Sequence, residues 1–436
     1  MYRQLAVIAL AAFGVTAGGC EMASERFIVE QDEIIVERRP DLTYDQLFPY
    51  YVELCAVSQF RSKTKGSGGV PGHATMYLKG ACKDETAPYP QLRRCRRTAT
   101  EPMDLEHGAG VSVNRWFRTV NWIAVPGQAL FYAGDLESGE RLTRAHFDAT
   151  ARAAVDVGVF RGVEFHEDPT SPPGETRVDF IGRKSLGTDF ALQFARSVFC
   201  ARLPVTEEML GESIDFLNEL NHEFATGEAD FNWSGFADNC VHTVRNALAA
   251  ASIWTPLSVR AIKFRQIFNL AIPANEFVNL ARLGAEGPID DYGAVYRDRA
   301  QRDALLEFNW LPTRHGALLK TLPVHADNDL YDTTFRVFVL QSPFRRGQVR
   351  AAVRLLSDER FVDVVANLRH FSQVYEGILA NRDEEGFGLA SLRGDRYRRV
   401  RRNYYAYIEE QQAEVGAMLD RLAALHAPGP QDSVQQ

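Results

Sequence analysis

The first twenty residues decide in what surroundings this chain folds, and through that which of its cysteines can pair. Met1 to Cys20 reads MYRQLAVIALAAFGVTAGGC, with a positive charge at Arg3, an apolar run from Leu5 to Val15 and small residues before the cysteine. That is the layout of a secretory signal, and the apolar run is shorter than the ~20 residues a spanning helix needs. Residues 1–19 are therefore expected to be a signal peptide, with the rest of the chain exported; no later stretch has the length or apolarity of a membrane span.

Two endings of the signal remain open. Thr16-Ala17-Gly18-Gly19-Cys20 is similar to a bacterial lipobox, in which Cys20 is acylated and becomes the new N-terminus. Ala17 stands where a larger aliphatic residue is usual, so ordinary cleavage fits as well. The first ending predicts a protein held by its lipid on the periplasmic side of the cell envelope, at the outer rather than the inner membrane; the second predicts a secreted one. Setting Cys20 aside leaves Cys55, Cys82, Cys95, Cys200 and Cys240, an odd number, in a compartment where thiols pair. One of the five stays free or bonds to another molecule.

Composition narrows the class further. The chain is 45% hydrophobic and 24% charged, which is the composition of a folded globule. Its net charge of −8 argues against a nucleic-acid partner, which calls for a positive footprint; the one basic run, Arg396 to Arg402, reads as a solvated helix face. Residues 20–40 form a charged tether with a short strand around 27–36. Strands are expected near Val52–Phe60 and from His73 onward, paired antiparallel across the Gly/Ser-rich turn RSKTKGSGGVPG. Residues 83–187 read as an insertion, with a hairpin of 120–125 and 129–133 about Pro126-Gly127 and a helix from Thr143 to about Val157. A strand over 189–203 precedes a helix capped by Thr206, whose Leu210, Ile214, Leu217, Leu220 and Phe224 recur at helical spacing. Residues 256–426 form a mainly helical C-terminal region ending in a long amphipathic helix over 397–425, and 427–436 a disordered tail. A core use of that last helix is favoured over self-association, and the oligomeric state stays open.

Cys240 carries the clearest chemical signal. It follows Asp238 and Asn239, both good N-cap residues, and precedes the apolar stripe Val241, Val244, Leu248 and Ala251. Its sulfur should thus sit at a helix tip, where backbone N–H groups favour a thiolate and can hold a developing oxyanion. A cysteine nucleophile needs a base. Of the ten histidines, His242 lies only two residues on and points elsewhere on a helix, whereas His73 opens a strand after a glycine-rich turn, at a sheet edge with little crowding.

Gly72-His73-Ala74 with Tyr77 four residues on, followed much later by Asn239-Cys240-Val241-His242, resembles the circularly permuted branch of the papain-like NlpC superfamily, which includes lecithin retinol acyltransferase-like proteins. The resemblance covers the blocks near 50–82 and 185–255. It implies an α+β fold over 41–255, a permuted papain-like core in which an antiparallel sheet packs on the Cys-bearing helix, interrupted by the insertion. It further implies Cys240 as nucleophile and His73 as its base, with acyl transfer from an amide or ester through a thioester on Cys240. A third polar group should orient the imidazole. Asn121 and Asp84 lead, with Glu85 and Asn114 behind them, and Gln59 reaches toward the oxyanion position. Substrates met outside the cytoplasm are peptides, peptidoglycan or lipids. With Cys240 free, the other four cysteines have three pairings, of which Cys82 with Cys95 closes a short loop and leaves Cys55 with Cys200; the alternative has Cys240 itself bridged. No cofactor is implied. Neither C-x-x-C nor H-E-x-x-H occurs, so no metal is expected, and His315, His325, Asp327, Asn328 and Asp329 read as loop chemistry. The rival reading is a non-catalytic envelope lipoprotein that serves as scaffold or receptor.

Overall fold

A computed structural model describes residues 42–58, 60–62, 66–68, 72–95, 107–134, 136, 140–234, 238–251, 253, 257, 259, 315–331, 356–380, 382 and 395–426. The expected signal peptide, Cys20, the tether, Gln59 and the tail from 427 lie outside the described residues. Among those described, 49–259 and 319–331 belong to one compact unit, and 42–48, 315–318 and 357–426 to a second.

In chain order the elements are α1 Leu42–Leu47, β1 Tyr51–Val57, β2 Phe60–Ser62, β3 Gly66–Gly68, β4 His73–Lys79, β5 Ala81–Lys83, β6 Leu92–Arg94, β7 Gly108–Val113, β8 Trp122–Pro126, α2 Arg144–Asp156, α3 Arg177–Lys184, β9 Val198–Pro204, α4 Glu207–Ala225, α5 Cys240–Ala250, β10 Leu318–Leu322, α6 Val364–Ala380 and α7 Asp395–His426. The chain is α+β, and its main sheet has the order β10-β9-β1-β4-β7-β8. The pairs β1–β4, β1–β9, β4–β7 and β7–β8 are antiparallel.

Strands β1, β4, β7 and β9 are buried along their whole lengths. Both faces of the sheet are covered, which is why their sequences show no clean alternation of apolar and polar residues. Register sorts the two faces, because opposed residues project to the same side. Trp122 shares a face with Val113, Val111, Met76 and Ala74. Its indole N–H donates to the Leu217 carbonyl at 2.7 Å, so α4 covers this face. The other face carries Glu53, Cys55, Val57, His73, Thr75, Tyr77, Ser112, Cys200 and Arg202. Phe131 and Tyr132 close over it, with ring centroids 6.0 and 5.9 Å from Tyr77. A side chain on Gly110 would meet the Phe131 ring at 2.0 Å, so glycine is required for that closure.

Several sequence expectations need correcting. Strands β7 and β8 arise within 83–187, so this stretch is built into the main sheet rather than inserted beside it. β8 pairs with β7, while 129–133 forms a single π-helical turn in place of the second arm of a hairpin. The strand expected over 189–203 is confined to β9, with a 3-10 turn over Leu192–Phe194 before it. β10 breaks the expected helical run of the C-terminal region. Short apolar strings such as ALFYA do not reveal their period, and only pairing decides them. Helices α2, α4 and α5 begin at Thr143, Thr206 and Asn239 as their caps predict.

Cys55 and Cys200 stand directly opposite in β1 and β9 and are disulfide-bonded, as are Cys82 and Cys95 beside the β5–β6 ribbon. Cys240 is a free, buried thiol. No helix among the described residues is long and apolar enough to cross a membrane. In the second unit, Asn367 of α6 accepts the Gly316 N–H at 2.7 Å, and α7 buries Tyr405, Ile408, Val415, Met418 and Leu422.

Candidate active site around Cys240 and His73

The helix tip is built by its own cap. Asn239 is extended, at φ −145° and ψ −177°, and its side-chain oxygen accepts the Val241 N–H at 2.9 Å. His242 reaches back so that its Nδ1 accepts the Asn239 N–H at 3.3 Å, the part a Glu or Gln usually plays in a capping box. His242 is thus used in holding the helix start. Cys240 becomes the first helical residue, and its Sγ accepts the N–H of Ala74 at 3.4 Å. This bond ties the tip of α5 to the head of β4 across 166 residues of sequence. Gly72 makes the approach possible: its φ is +91°, and a side chain there would meet the Val57 carbonyl oxygen at 2.7 Å.

His73 is not at an open edge, as expected, but is only 7% exposed, on a strand with neighbours on both sides. Its Nε2 lies 2.8 Å from Ser112 Oγ. Ser112 Oγ in turn donates to Asp189 Oδ1 at 2.6 Å. A hydroxyl has one proton, and it is spent on the carboxylate, so the bond from the ring must be donated by His73 Nε2–H. Nδ1 is then left as the basic nitrogen. Asp189 also accepts from Asn114 Nδ2 at 2.6 Å and from Ser185 Oγ, and it is fully buried. His73 Nε2 is 3.8 Å from Asp189 Oδ1, so the serine hydroxyl mediates between ring and carboxylate.

Burial sets the protonation states. It pushes the Cys240 thiol up to about 11, although the amides of Ala74, Val241 and Cys240 itself pull the other way. The expected thiolate at the helix tip is therefore overruled by desolvation. Burial, with help from the Arg196 charge, lowers His73 to about 3. Asp189 is raised to about 6 by burial, against its hydrogen bonds from Ser112, Ser185 and Asn114 and the nearby Arg196. The resting pair is thus a neutral thiol and a neutral imidazole. No hydrogen bond joins ring to sulfur; the Ala74 amide is the link between the two segments.

The other expected residues lie elsewhere. Asp84 is half-buried in a turn of its own, its Oδ1 accepting the Thr86 N–H at 2.9 Å and hydroxyl at 2.7 Å, and the place expected for it beside His73 is taken by Ser112. Asn121 accepts the Thr243 hydroxyl at 2.7 Å and so braces the first turn of α5 instead of the imidazole. Glu85 binds Lys83 at 2.7 Å. Asn114 does belong to the site, through Asp189 rather than through His73. Asp189, Ser112 and Arg196 were missed. Only the buried-strand context of Ser112 and the lone acid in LGTDFALQF hinted at them.

Among the described residues, Glu53, Cys55 and Cys200 are close enough together to suggest a metal. Both sulfurs are committed to the disulfide, and Glu53 to Arg202 Nε at 2.7 Å and the Tyr132 hydroxyl, so this cluster does not offer a ligand set. Comparison with known families, with curated proteins and with solved structures gives no match.

Proposed function

We propose that this chain is an envelope-tethered thiol hydrolase or acyltransferase of permuted papain-like type, acting on an amide or ester bond of a peptide, peptidoglycan or lipid substrate. The observation that carries the reading is the free Cys240 thiol at the tip of α5, bonded to the amide of the residue next to His73. The Asp189–Ser112–His73 chain supports it, since it leaves Nδ1 as the proton acceptor. In the first step the thiol proton passes to His73 Nδ1 while sulfur bonds to the substrate carbonyl carbon. The negative charge on the carbonyl oxygen is received by N–H groups at the helix tip. The carbon–nitrogen or carbon–oxygen bond then breaks, and the leaving group departs with the proton from His73. Water, or another acceptor nucleophile, resolves the thioester and releases the acyl group with sulfur reprotonated. Because thiol and imidazole are both neutral at rest, proton transfer accompanies attack rather than preceding it.

Export of residues 20–436 behind a signal peptide, with Cys20 as lipid anchor, belongs to the same proposal. Two disulfides fit an oxidising compartment. The test uses p-nitrophenyl acetate as a generic acyl donor, with mass spectrometry to find the acetyl group. Acetylation should map to Cys240, vanish in Cys240→Ser and slow at least about a hundredfold in His73→Ala, the lower end of the usual range for loss of a general base. The absence of a ring-to-sulfur hydrogen bond favours the second reading, a non-catalytic scaffold, and acetylation indifferent to His73 would establish that reading instead.

A further inference from the structure

Arg196 is a buried cation that the steps above do not use. It is 4% exposed, and its guanidinium bridges two segments at the His73 end of the sheet. Nη1 donates to the Ser58 carbonyl at 3.0 Å, and Nη2 to Thr188 Oγ1 at 3.1 Å. Ser58 follows Val57, the residue directly opposite His73 in the β1–β4 pair. Thr188 immediately precedes Asp189. Ser58 and Ser197 lock the geometry, the Ser58 N–H donating to the Ser197 carbonyl at 2.9 Å and the Ser197 N–H to Ser58 Oγ at 3.0 Å. The charge is therefore fixed in place by packing and backbone.

From this geometry, and resting on the catalytic reading of Cys240, we propose that Arg196 is a positioning residue of the site. It is a fixed internal charge held between the end of β1 opposite His73 and the turn that carries Asp189, and from there it favours negative charge on the groups of the site, the sulfur of Cys240 included. The groups facing this region are His73 on β4, Ser112 and Asn114 at the end of β7, Ser185 and Asp189 in the turn after α3, Cys240 on α5 and Tyr331. Electrostatics agree with the geometry. Burial lowers Arg196 itself to about 10, and Asp189, Tyr331 and Cys240 offset part of that loss. The same charge lowers Asp189, Cys240 and His73. A single buried charge that moves a carboxylate, a thiol and an imidazole in one direction leaves a signature that packing alone does not.

The test is the rate of Cys240 alkylation by iodoacetamide from pH 6 to 11, followed by mass spectrometry on the full exported chain. Arg196→Gln should alkylate more slowly at pH 8, by about tenfold for each unit by which the thiol rises, and its profile should move to higher pH. Arg196→Lys should return most of the rate, because charge rather than shape is at issue. Should Arg196→Gln fail to fold, Thr188→Val, which frees one end of the guanidinium, should shift the profile in the same direction by less. If Arg196 only filled space, its loss would loosen the site, so that Cys240 would alkylate faster and toward the ordinary thiol profile. That outcome, or an unchanged profile in both variants, overturns the proposal. Alkylation needs no acyl chemistry, so failure of the His73→Ala acetylation test would remove the catalytic reading and leave this measurement interpretable.

Discussion

Two buried polar clusters, one around Glu53 and one around His73 and Ser112, lie on one face of the same sheet, and they treat their carboxylates in opposite ways. At one end Glu53 is fully buried among Arg202, Lys320 and the Tyr132 hydroxyl. Burial pushes its carboxyl up, but Lys320, Arg202 and Tyr132 outweigh burial and hold it at about 2. At the other end Asp189 is equally buried, but its direct donors are neutral hydroxyls and an amide, and burial wins, leaving it at about 6. The cysteines follow the same division. Cys55 and Cys200 are bonded beside Glu53, with the Tyr132 hydroxyl 3.5 Å from the Cys55 sulfur, while Cys240 stays a thiol bonded to the Ala74 N–H at the head of β4. One cluster sets two cations, Arg202 and Lys320, on a single carboxylate; the other leaves its carboxylate among neutral donors, so that burial decides its protonation.

The comparison breaks most readily at Glu53. Glu53→Gln leaves Arg202 buried without its counter-charge, and the loss should be about 3–5 kcal/mol in urea unfolding. Removing the neighbouring bridge by replacing Cys55 and Cys200 with alanine opens a loop of 145 residues and should cost about 2–5 kcal/mol. The two losses should not add, because both act on one cluster. A Glu53→Gln protein as stable as the parent would show the cluster to be no anchor at all.

Next in size are the opposite pH signatures. Glu53 is lowered from its ordinary value, so its contribution is complete above about pH 4.5 and is lost as pH falls through about 2, amounting to about 3 kcal/mol. Asp189 is raised, so the folded state holds its proton more tightly and its stabilising share grows as pH falls from about 6 toward 4. His73, lowered to about 3, opposes it over the same window, since the unfolded imidazole takes up its proton from about pH 6.5 downward. In the parent the two slopes largely cancel. Asp189→Asn should expose the His73 slope, so that stability drops more steeply between pH 6 and 4 than in the parent. At pH 7 the same variant should cost less than Glu53→Gln while slowing acetylation of Cys240; an equal stability loss would count against the division drawn above.

What the sequence made legible follows from how local each signal is. The cap at Asn239, the helix behind Cys240 and the strand headed by His73 are each written in a few consecutive residues, and each is found as expected. Of the three pairings open once Cys240 is free, the one found followed from the short Cys82–Cys95 loop, which leaves Cys55 with Cys200. The partners of His73 did not, because Ser112 is 39 residues and Asp189 is 116 residues away along the chain, joined to it only through strand register and a buried turn. Asp84 is near His73 along the chain, but Asn121 is farther from it than Ser112 is, so distance in sequence does not separate the true partner from the others, and strand register does. The helix-tip argument for a thiolate failed for a related reason: it counted the amides, which are local, but not desolvation, which depends on the whole packed unit.

The smallest expected effect tests whether the helix tip is shared between fold and site. Asn239→Ala removes the oxygen that accepts the Val241 N–H at 2.9 Å and the partner that holds His242 at the cap. Loss of such a cap is worth about 1 kcal/mol, well below the Glu53 change. If the cap only starts the helix, alkylation of Cys240 in this variant should match the parent once the small stability loss is allowed for. If it also aims the tip amides at the sulfur, as the pull of the Val241 and Cys240 amides on the thiol implies, fraying should weaken that pull, and the alkylation profile should move to higher pH. Thr143→Ala, which removes an equivalent cap from α2, supplies the control with a similar stability loss and no contact with Cys240, so a profile shift confined to Asn239→Ala assigns the effect to the site.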